Sequence, residues 1–102
     1  MAIRPHEIKR LTIRGIVQKI GFRVWTERKA ARLGLDGWVR NRLDGSVEVL
    51  IAGPPSAVAQ LIEHCRSGPP LARVDSMAIE EASEFDLSRR RFGETFSLLP
   101  TQ

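Results

Sequence analysis

The sequence predicts an α+β protein in which two helices cover one face of an antiparallel sheet. Three observations favour this class. Short segments of alternating apolar and polar residues predict strands, and two longer segments carry apolar residues at helical spacing. The predicted elements follow the order β-α-β-β-α-β, with one further strand at the end.

The first part of this order is a strand over residues 8–14, in which Leu11 and Ile13 share one face. A loop over 15–21 follows, bounded by a glycine at each end. A helix is predicted from about residue 22 to residue 33, and its buried side is formed by Phe22, Thr26, Ala30 and Leu33. Gly34 then occupies the position where helices end in a left-handed residue.

Two strands are predicted next, over residues 36–42 and 46–52. Asp44 and Gly45 lie between them and provide the residue types of a tight hairpin turn. We expect the strand 36–42 to lie beside the first strand, which would bring its end close to the loop 15–21.

The second helix is predicted to begin at residues 53–55, since prolines are tolerated in a first turn. Its apolar positions follow helical spacing, and it stops at residues 67–70. These positions are Val58, Leu61, Ile62 and Cys65. A strand around 72–81 contains apolar spacing that indicates a bulge, a charged connector spans 83–91, and a last strand covers 94–98. This order predicts the split β-α-β, ferredoxin-like sandwich.

Length and composition indicate one domain over residues 1–102. The chain is 42% hydrophobic and 27% charged, which is typical of a globular protein. No apolar run approaches the ~18 residues of a membrane span, and residues 1–7 lack the apolar part of a secretory signal. The single cysteine, Cys65, cannot form an internal disulfide, so we expect a cytoplasmic, reducing location.

The loop 15–21 has the properties of an anion site. It ends at a predicted helix N-terminus, where backbone N–H groups and the helix dipole favour a negative charge. Arg23 lies in the first helical turn, and its planar guanidinium can bind two phosphate oxygens together. Without further context, an arginine in the position of Arg23 is more often a solvated residue at a helix start, and Gly15 and Gly21 could equally be turn residues.

Two longer motifs resemble the acylphosphatase family. Residues 15–23 read Gly-Ile-Val-Gln-Lys-Ile-Gly-Phe-Arg, which is similar to the first family signature. Residues 37–47, with Gly-Trp-Val-Arg-Asn at their start, are similar to the second signature, and residues 68–74 resemble a further family segment. The resemblance covers residues 8–98.

This resemblance implies hydrolysis of an acyl phosphate to a carboxylate and inorganic phosphate, with no metal and no cofactor. It implies that Arg23 holds the phosphate and that Asn41 positions the attacking water. The phosphate loop would comprise Gly15, Val17, Gln18, Lys19, Ile20, Gly21 and Phe22. The partner would be a small-molecule acyl phosphate, and a phosphate or sulfate ion could occupy the site. We expect a monomer that does not bind a membrane.

Lys19 departs from the family motif, which has glycine at this position. If the backbone there is left-handed, lysine costs ~1–2 kcal/mol and distorts the loop. Alternatively, the backbone tolerates lysine and its ammonium attracts phosphate. We therefore expect an active but impaired enzyme, and the competing interpretation is a phosphate-ligand-binding domain without turnover.

An RNA-binding domain is a third interpretation. The pI near 10.2 and the run Arg89-Arg90-Arg91 favour it. The strands 8–14 and 46–52 have no aromatic side chains on which bases could stack, so nucleic acid is not the expected partner. We expect Cys65 to be buried and unreactive, and His6 and His64 to be surface residues.

Overall fold

A computed structural model describes residues 6–102, and within them five strands and three helices follow one another. The elements are β1 (Glu7–Ile16), α1 (Phe22–Leu33), β2 (Asp36–Asn41), β3 (Val47–Gly53), α2 (Pro55–Ser67), β4 (Arg73–Glu81), α3 (Glu84–Leu87) and β5 (Phe96–Leu98). Every predicted strand and helix is present. Gly15 and Ile16 belong to β1, so the loop that was predicted from residue 15 begins only at Val17. The N-terminal segment 1–5 lies outside the described residues.

The strands form one sheet in the order β4-β1-β3-β2-β5. The pairs β1–β4, β1–β3 and β2–β3 are antiparallel, as predicted, but β5 pairs with β2 in parallel. The expectation of a wholly antiparallel sheet is therefore wrong at this edge. After β4 the chain crosses the sheet and reverses its direction, so β5 runs against β4 and along β2.

The prediction that the strand 36–42 lies beside the first strand is also wrong, because β3 lies between them. β2 and β3 form a hairpin, and β3 pairs with β1 on its other side. Since β1 and β2 both run antiparallel to β3, their carboxyl ends lie at the same end of the sheet. This arrangement still brings the end of β2 towards the chain that follows β1.

Helices α1 and α2 pack on one face of the sheet, as predicted. The core between them contains fully buried side chains from the strands and from both helices. It includes Leu11, Ile13, Val39, Val49, Ile51, Phe22, Ala30, Val58, Leu61 and Cys65. Gly34 ends α1 in the left-handed conformation, as expected, with φ at 68°.

The short helix α3 covers part of the opposite face, where the sequence predicts only a charged connector. Ser83 and Asp86 form a capping box, in which each side chain bonds to the backbone N–H of the other residue. Leu87 packs with Trp38 and Leu50, so the connector contributes a second, smaller core. The Ser-x-x-Asp spacing is the signal that could have predicted this helix.

The predicted bulge in β4 is confirmed. Along the β1–β4 ladder, Arg14 pairs with Ser76 and Gly15 pairs with Val74, which leaves Asp75 as an extra residue. A Cβ atom at Gly15 would lie 2.0 Å from the carbonyl oxygen of Arg73. Glycine is therefore required here because the backbone of β4 approaches closely.

Candidate active site

The chain that leaves β1 is held in place by the β2–β3 hairpin. Val17 is buried in the core, and the Gln18 side-chain amide donates hydrogen bonds to the carbonyl oxygens of Arg42 and Ser46, both at 2.8 Å. The Gln18 side chain therefore fixes the loop to the hairpin. Because the side-chain N–H groups of Gln18 are used in these two bonds, only its backbone N–H can contribute to binding an anion.

Lys19 adopts the left-handed conformation, with φ at 64°. It is the one non-glycine residue with positive φ among residues 6–102. The first of the two alternatives raised by the sequence is therefore correct about the backbone conformation, which costs ~1–2 kcal/mol for a residue with a Cβ. The loop nevertheless closes a pocket, and Lys19 lines it.

Helix α1 begins directly after this loop. Its N-cap, Gly21, is also left-handed, with φ at 82°, and no side chain caps the helix. No acidic residue occupies the first turn. The N–H groups of the first turn thus remain available to an anion, and the helix dipole adds a partial positive charge at the same place.

Arg23 is the second residue of α1, and its side chain is half-buried. It is hydrogen-bonded to the segment that follows β5. Its Nη1 donates a hydrogen bond to the carbonyl oxygen of Leu99 at 3.3 Å. Leu99 is itself fixed beside β2, because its N–H donates to the carbonyl oxygen of Val39 at 2.9 Å. A guanidinium has five N–H donors, so most of them remain for a ligand.

Asn41 is the last residue of β2. Its backbone carbonyl accepts a hydrogen bond from the N–H of Gln102 at 3.0 Å. Its side-chain amide has no hydrogen-bond partner within residues 6–102, and it remains available to a water or a substrate. The preceding residue, Arg40, points to the opposite face, where its Nε lies 2.7 Å from Glu48 Oε1.

These parts enclose a pocket of about 150 Å³. Its walls are Val17, Lys19, Gly21, Phe22, Arg23, Val24 and Asn41. Since each liquid water occupies ~30 Å³, the pocket has room for a small anion together with a water. Six of the nine predicted site residues line it, whereas Gly15, Gln18 and Ile20 do not.

Two contributors were missed by sequence reasoning. Val24 follows Arg23 in the first turn, and its side chain is 41% exposed at the pocket edge. The helical position of Val24 could have predicted this. No sequence pattern could have indicated the Leu99 carbonyl, because every residue has a backbone oxygen. Only the folded path of the chain brings this one to Arg23.

A larger depression of about 500 Å³ lies towards the other end of α1, between Gly34, Leu35 and Phe96. Its walls are mainly apolar. The smaller pocket combines a guanidinium, an available amide and a helix N-terminus, so it is the better candidate for chemistry.

Within residues 6–102, no three His, Cys, Asp or Glu side chains are grouped so that they could hold a metal ion. None of the helices in this part of the chain combines the length and the apolar character that crossing a membrane requires.

The chain was compared with known proteins. A sequence model of the acylphosphatase family matches residues 9–93. The chain is 54% identical over 94 residues to an acylphosphatase of Bradyrhizobium diazoefficiens, covering 92% of this chain and 95% of that protein. It is 55% identical over 97 residues to an acylphosphatase of Nitrobacter winogradskyi, covering 94% of this chain and 98% of that protein.

A solved structure is also similar. The crystal structure of acylphosphatase from Bacillus subtilis matches with a TM-score of 0.77 and 33% identity, covering 90% of this chain and 97% of that one. The α+β, ferredoxin-like fold is therefore shared with that enzyme. The motifs in residues 15–23 and 37–47 lie within the matched region. The chain belongs to the acylphosphatase family.

Proposed function

We propose that this protein hydrolyses acyl phosphates to a carboxylate and inorganic phosphate, and that the pocket between Arg23 and Asn41 is where it does so. The observation that carries the proposal is that these two side chains line one pocket at the N-terminus of α1. They are 18 positions apart in sequence and come from different elements. Membership of the acylphosphatase family supports the reaction class.

The phosphoryl group would bind between the loop 17–21 and the first turn of α1. Backbone N–H groups and the helix dipole favour its negative charge. The Arg23 guanidinium provides two parallel donors to the phosphoryl oxygens. Because Leu99 holds this side chain before substrate arrives, the donors need little reorganisation when charge develops in the transition state.

The attacking water would bind to Asn41. A side-chain amide oxygen accepts a hydrogen bond from water and so orients it, although an amide is not a base. This suffices for a loose phosphoryl-transfer transition state, which depends more on alignment than on deprotonation. The water oxygen forms a bond to phosphorus as the bond from phosphorus to the acyl oxygen breaks.

The leaving group needs no acid. The electron pair of the broken P–O bond stays on the acyl oxygen, which leaves as a carboxylate, a weak base. Both protons of the water end on the phosphate, so an acyl phosphate dianion gives a carboxylate and dihydrogen phosphate. No residue of the pocket has to change its protonation state.

The direct test is hydrolysis of benzoyl phosphate by the purified protein in EDTA, with Arg23→Ala as the matched variant. We expect turnover that resists EDTA in the wild type and falls ~10²–10³-fold or more in the variant, which is the cost of one preorganised donor. Equal rates in the two folded proteins would show that this pocket is not the active site. An absence of turnover above background in the wild type would reject the activity and favour a phosphate-binding domain.

We also propose that the protein works as a cytoplasmic monomer of one domain on a small-molecule substrate. The supporting observation is the state of its one cysteine. Cys65 is buried and is the single cysteine, so it neither forms an internal disulfide nor exposes a thiol. Burial raises the pKa of Cys65 to about 12. Analytical ultracentrifugation would reveal any stable dimer.

A further inference from the structure

A second depression runs along the exposed side of α1, directly beside the candidate active site. It measures about 440 Å³ and is lined by Gly21, Val24, Trp25, Arg28, Lys29 and Arg32. We call it the α1 groove. Gly21 and Val24 also line the pocket that contains Arg23 and Asn41, so the groove and the pocket are adjacent.

The charge of the α1 groove is positive and uncompensated. Elsewhere, most cationic side chains pair with a carboxylate: these are Lys9, Arg10, Arg14, Arg40, Arg42, Arg66, Arg73 and Arg90. By contrast, Arg28, Lys29 and Arg32 make no salt bridge within residues 6–102. The acidic residue of α1, Glu27, lines the depression on the other flank of the helix together with Glu94, and Arg28 borders both depressions. The groove walls therefore carry cations and no carboxylate.

Trp25 gives the α1 groove an ordered aromatic wall. Its ring packs edge-on against Phe22, with 5.5 Å between the ring centroids, which fixes the indole. The Lys29 ammonium lies 5.8 Å from the centre of the same ring. The indole thus provides an apolar wall and also attracts the ammonium, so Lys29 stays over the groove.

The direction of the helix places these cations within reach of a substrate. Arg28 lies seven residues beyond Gly21, which corresponds to ~11 Å along the axis. Helical side chains lean towards the N-terminus, and the Lys29 ammonium accordingly lies over the ring of Trp25, one turn nearer the catalytic pocket. An acyl chain of a few carbon atoms that leaves the phosphoryl site would pass along Val24 and meet these charges.

We propose that the α1 groove binds the acyl part of the substrate and selects acyl phosphates that carry a second anionic group, a carboxylate or a phosphate, at the far end of the acyl chain. This proposal rests on the proposed function, because it concerns the same reaction. Arg28 and Lys29 are specificity residues here. They bind the distal anion and take no part in the attack on phosphorus.

The test compares two substrates of equal chain length, succinyl phosphate and butyryl phosphate, which differ in a terminal carboxylate. The double variant Arg28→Gln, Lys29→Gln removes two charges from the groove. The control is Arg66→Gln, since Arg66 lies on α2 and pairs with Glu63, outside both depressions. All kcat/KM values are measured at low and at high salt.

We expect the double variant to lose about fivefold to tenfold in kcat/KM for succinyl phosphate, mainly through KM, and less than twofold for butyryl phosphate. The loss should shrink at 0.5 M salt, because the Debye length falls to ~4 Å under those conditions and the exposed charges are screened. Arg66→Gln should leave the ratio of the two substrates unchanged.

Three outcomes would overturn the proposal: an unchanged substrate ratio in the double variant, an equal loss on both substrates, or the same loss in Arg66→Gln. In each case, continued hydrolysis of butyryl phosphate by the wild type would leave the proposed function intact. If the wild type hydrolysed neither substrate, the proposed function itself would fail.

Discussion

Arg23 and Leu99 are 76 positions apart in the chain, yet Nη1 of the first donates a 3.3 Å hydrogen bond to the carbonyl oxygen of the second. The contact joins the first turn of α1 to the segment that follows β5. It depends on the parallel pairing of β5 with β2, because this pairing places Leu99 next to Val39. The edge strand therefore positions the side chain that we propose binds the phosphate.

The first prediction concerns the shape of the Arg23 side chain. We expect Arg23→Lys to lower kcat ~10²–10³-fold although the charge is kept, because an ammonium cannot provide two parallel donors and still bond to Leu99. Steady-state kinetics on benzoyl phosphate measure this loss. Thermal unfolding of the variant serves as the control and should stay close to that of the wild type. Activity within threefold of the wild type would contradict a bidentate role.

The second prediction separates binding of the water from binding of the substrate. We expect Asn41→Ala to lower kcat at least tenfold and to change KM by less than threefold, because the amide orients the nucleophile and not the phosphoryl group. The substitution leaves the backbone bond between Asn41 and Gln102 in place. A rise in KM with unchanged kcat would assign Asn41 to ground-state binding instead.

The third prediction concerns the left-handed Lys19. We expect Lys19→Gly to stabilise the protein by up to about 1.5 kcal/mol, since ~1–2 kcal/mol of strain is relieved and ~0.5–1 kcal/mol is lost to the greater freedom of glycine in the unfolded chain. Urea denaturation measures the free energy of unfolding. The sequence alone led us to expect an impaired enzyme, but because the pocket is already formed with Lys19 in place, we now expect the turnover of Lys19→Gly to stay within threefold of the wild type. A tenfold gain in turnover would show instead that lysine impairs the enzyme.

The fourth prediction concerns pH and the hairpin to which the loop is attached. Hydrogen bonds from the Ser46 hydroxyl and backbone N–H, at 2.6 and 2.9 Å, together with Arg14, lower the pKa of Asp44 to about 2. The folded-state pKa lies below the unfolded value of ~3.9, so this stabilisation is fully present above about pH 4 and is lost as pH falls towards 2.

The matched variant is Asp44→Asn, which cannot titrate. The difference in unfolding free energy between the wild type and this variant should be constant from pH 7 to about pH 4.5 and should shrink between pH 4 and pH 2. Urea denaturation at a series of pH values measures both proteins. A difference that stayed constant down to pH 2 would show that Asp44 titrates normally in the fold.

The fold was largely predictable because its signals are local. The helical spacing of Val58, Leu61 and Cys65 predicts a buried face, and all three are fully buried. The uneven apolar spacing in β4 predicts a bulge, and the register skips Asp75. Family motifs then indicated Arg23 and Asn41, which line one pocket.

The sequence could not predict contacts between segments that are far apart along the chain. The parallel pairing of β5 follows from a crossing between β4 and the far edge, and no local pattern records the direction of that return. Gln18 illustrates the same limit within the site. Its motif position indicates the phosphate loop, but its side chain bonds to the carbonyls of Arg42 and Ser46, which only the folded hairpin presents.

In the proposed mechanism the loop and Arg23 hold the phosphoryl group while a water bound at Asn41 attacks phosphorus. The most direct measurement is hydrolysis of an acyl phosphate in ¹⁸O-labelled water, with mass analysis of both products after single turnover. We expect one labelled oxygen in inorganic phosphate and none in the carboxylate, because the P–O bond breaks. Label in the carboxylate would place the attack at the acyl carbon and would contradict attack of the water on phosphorus.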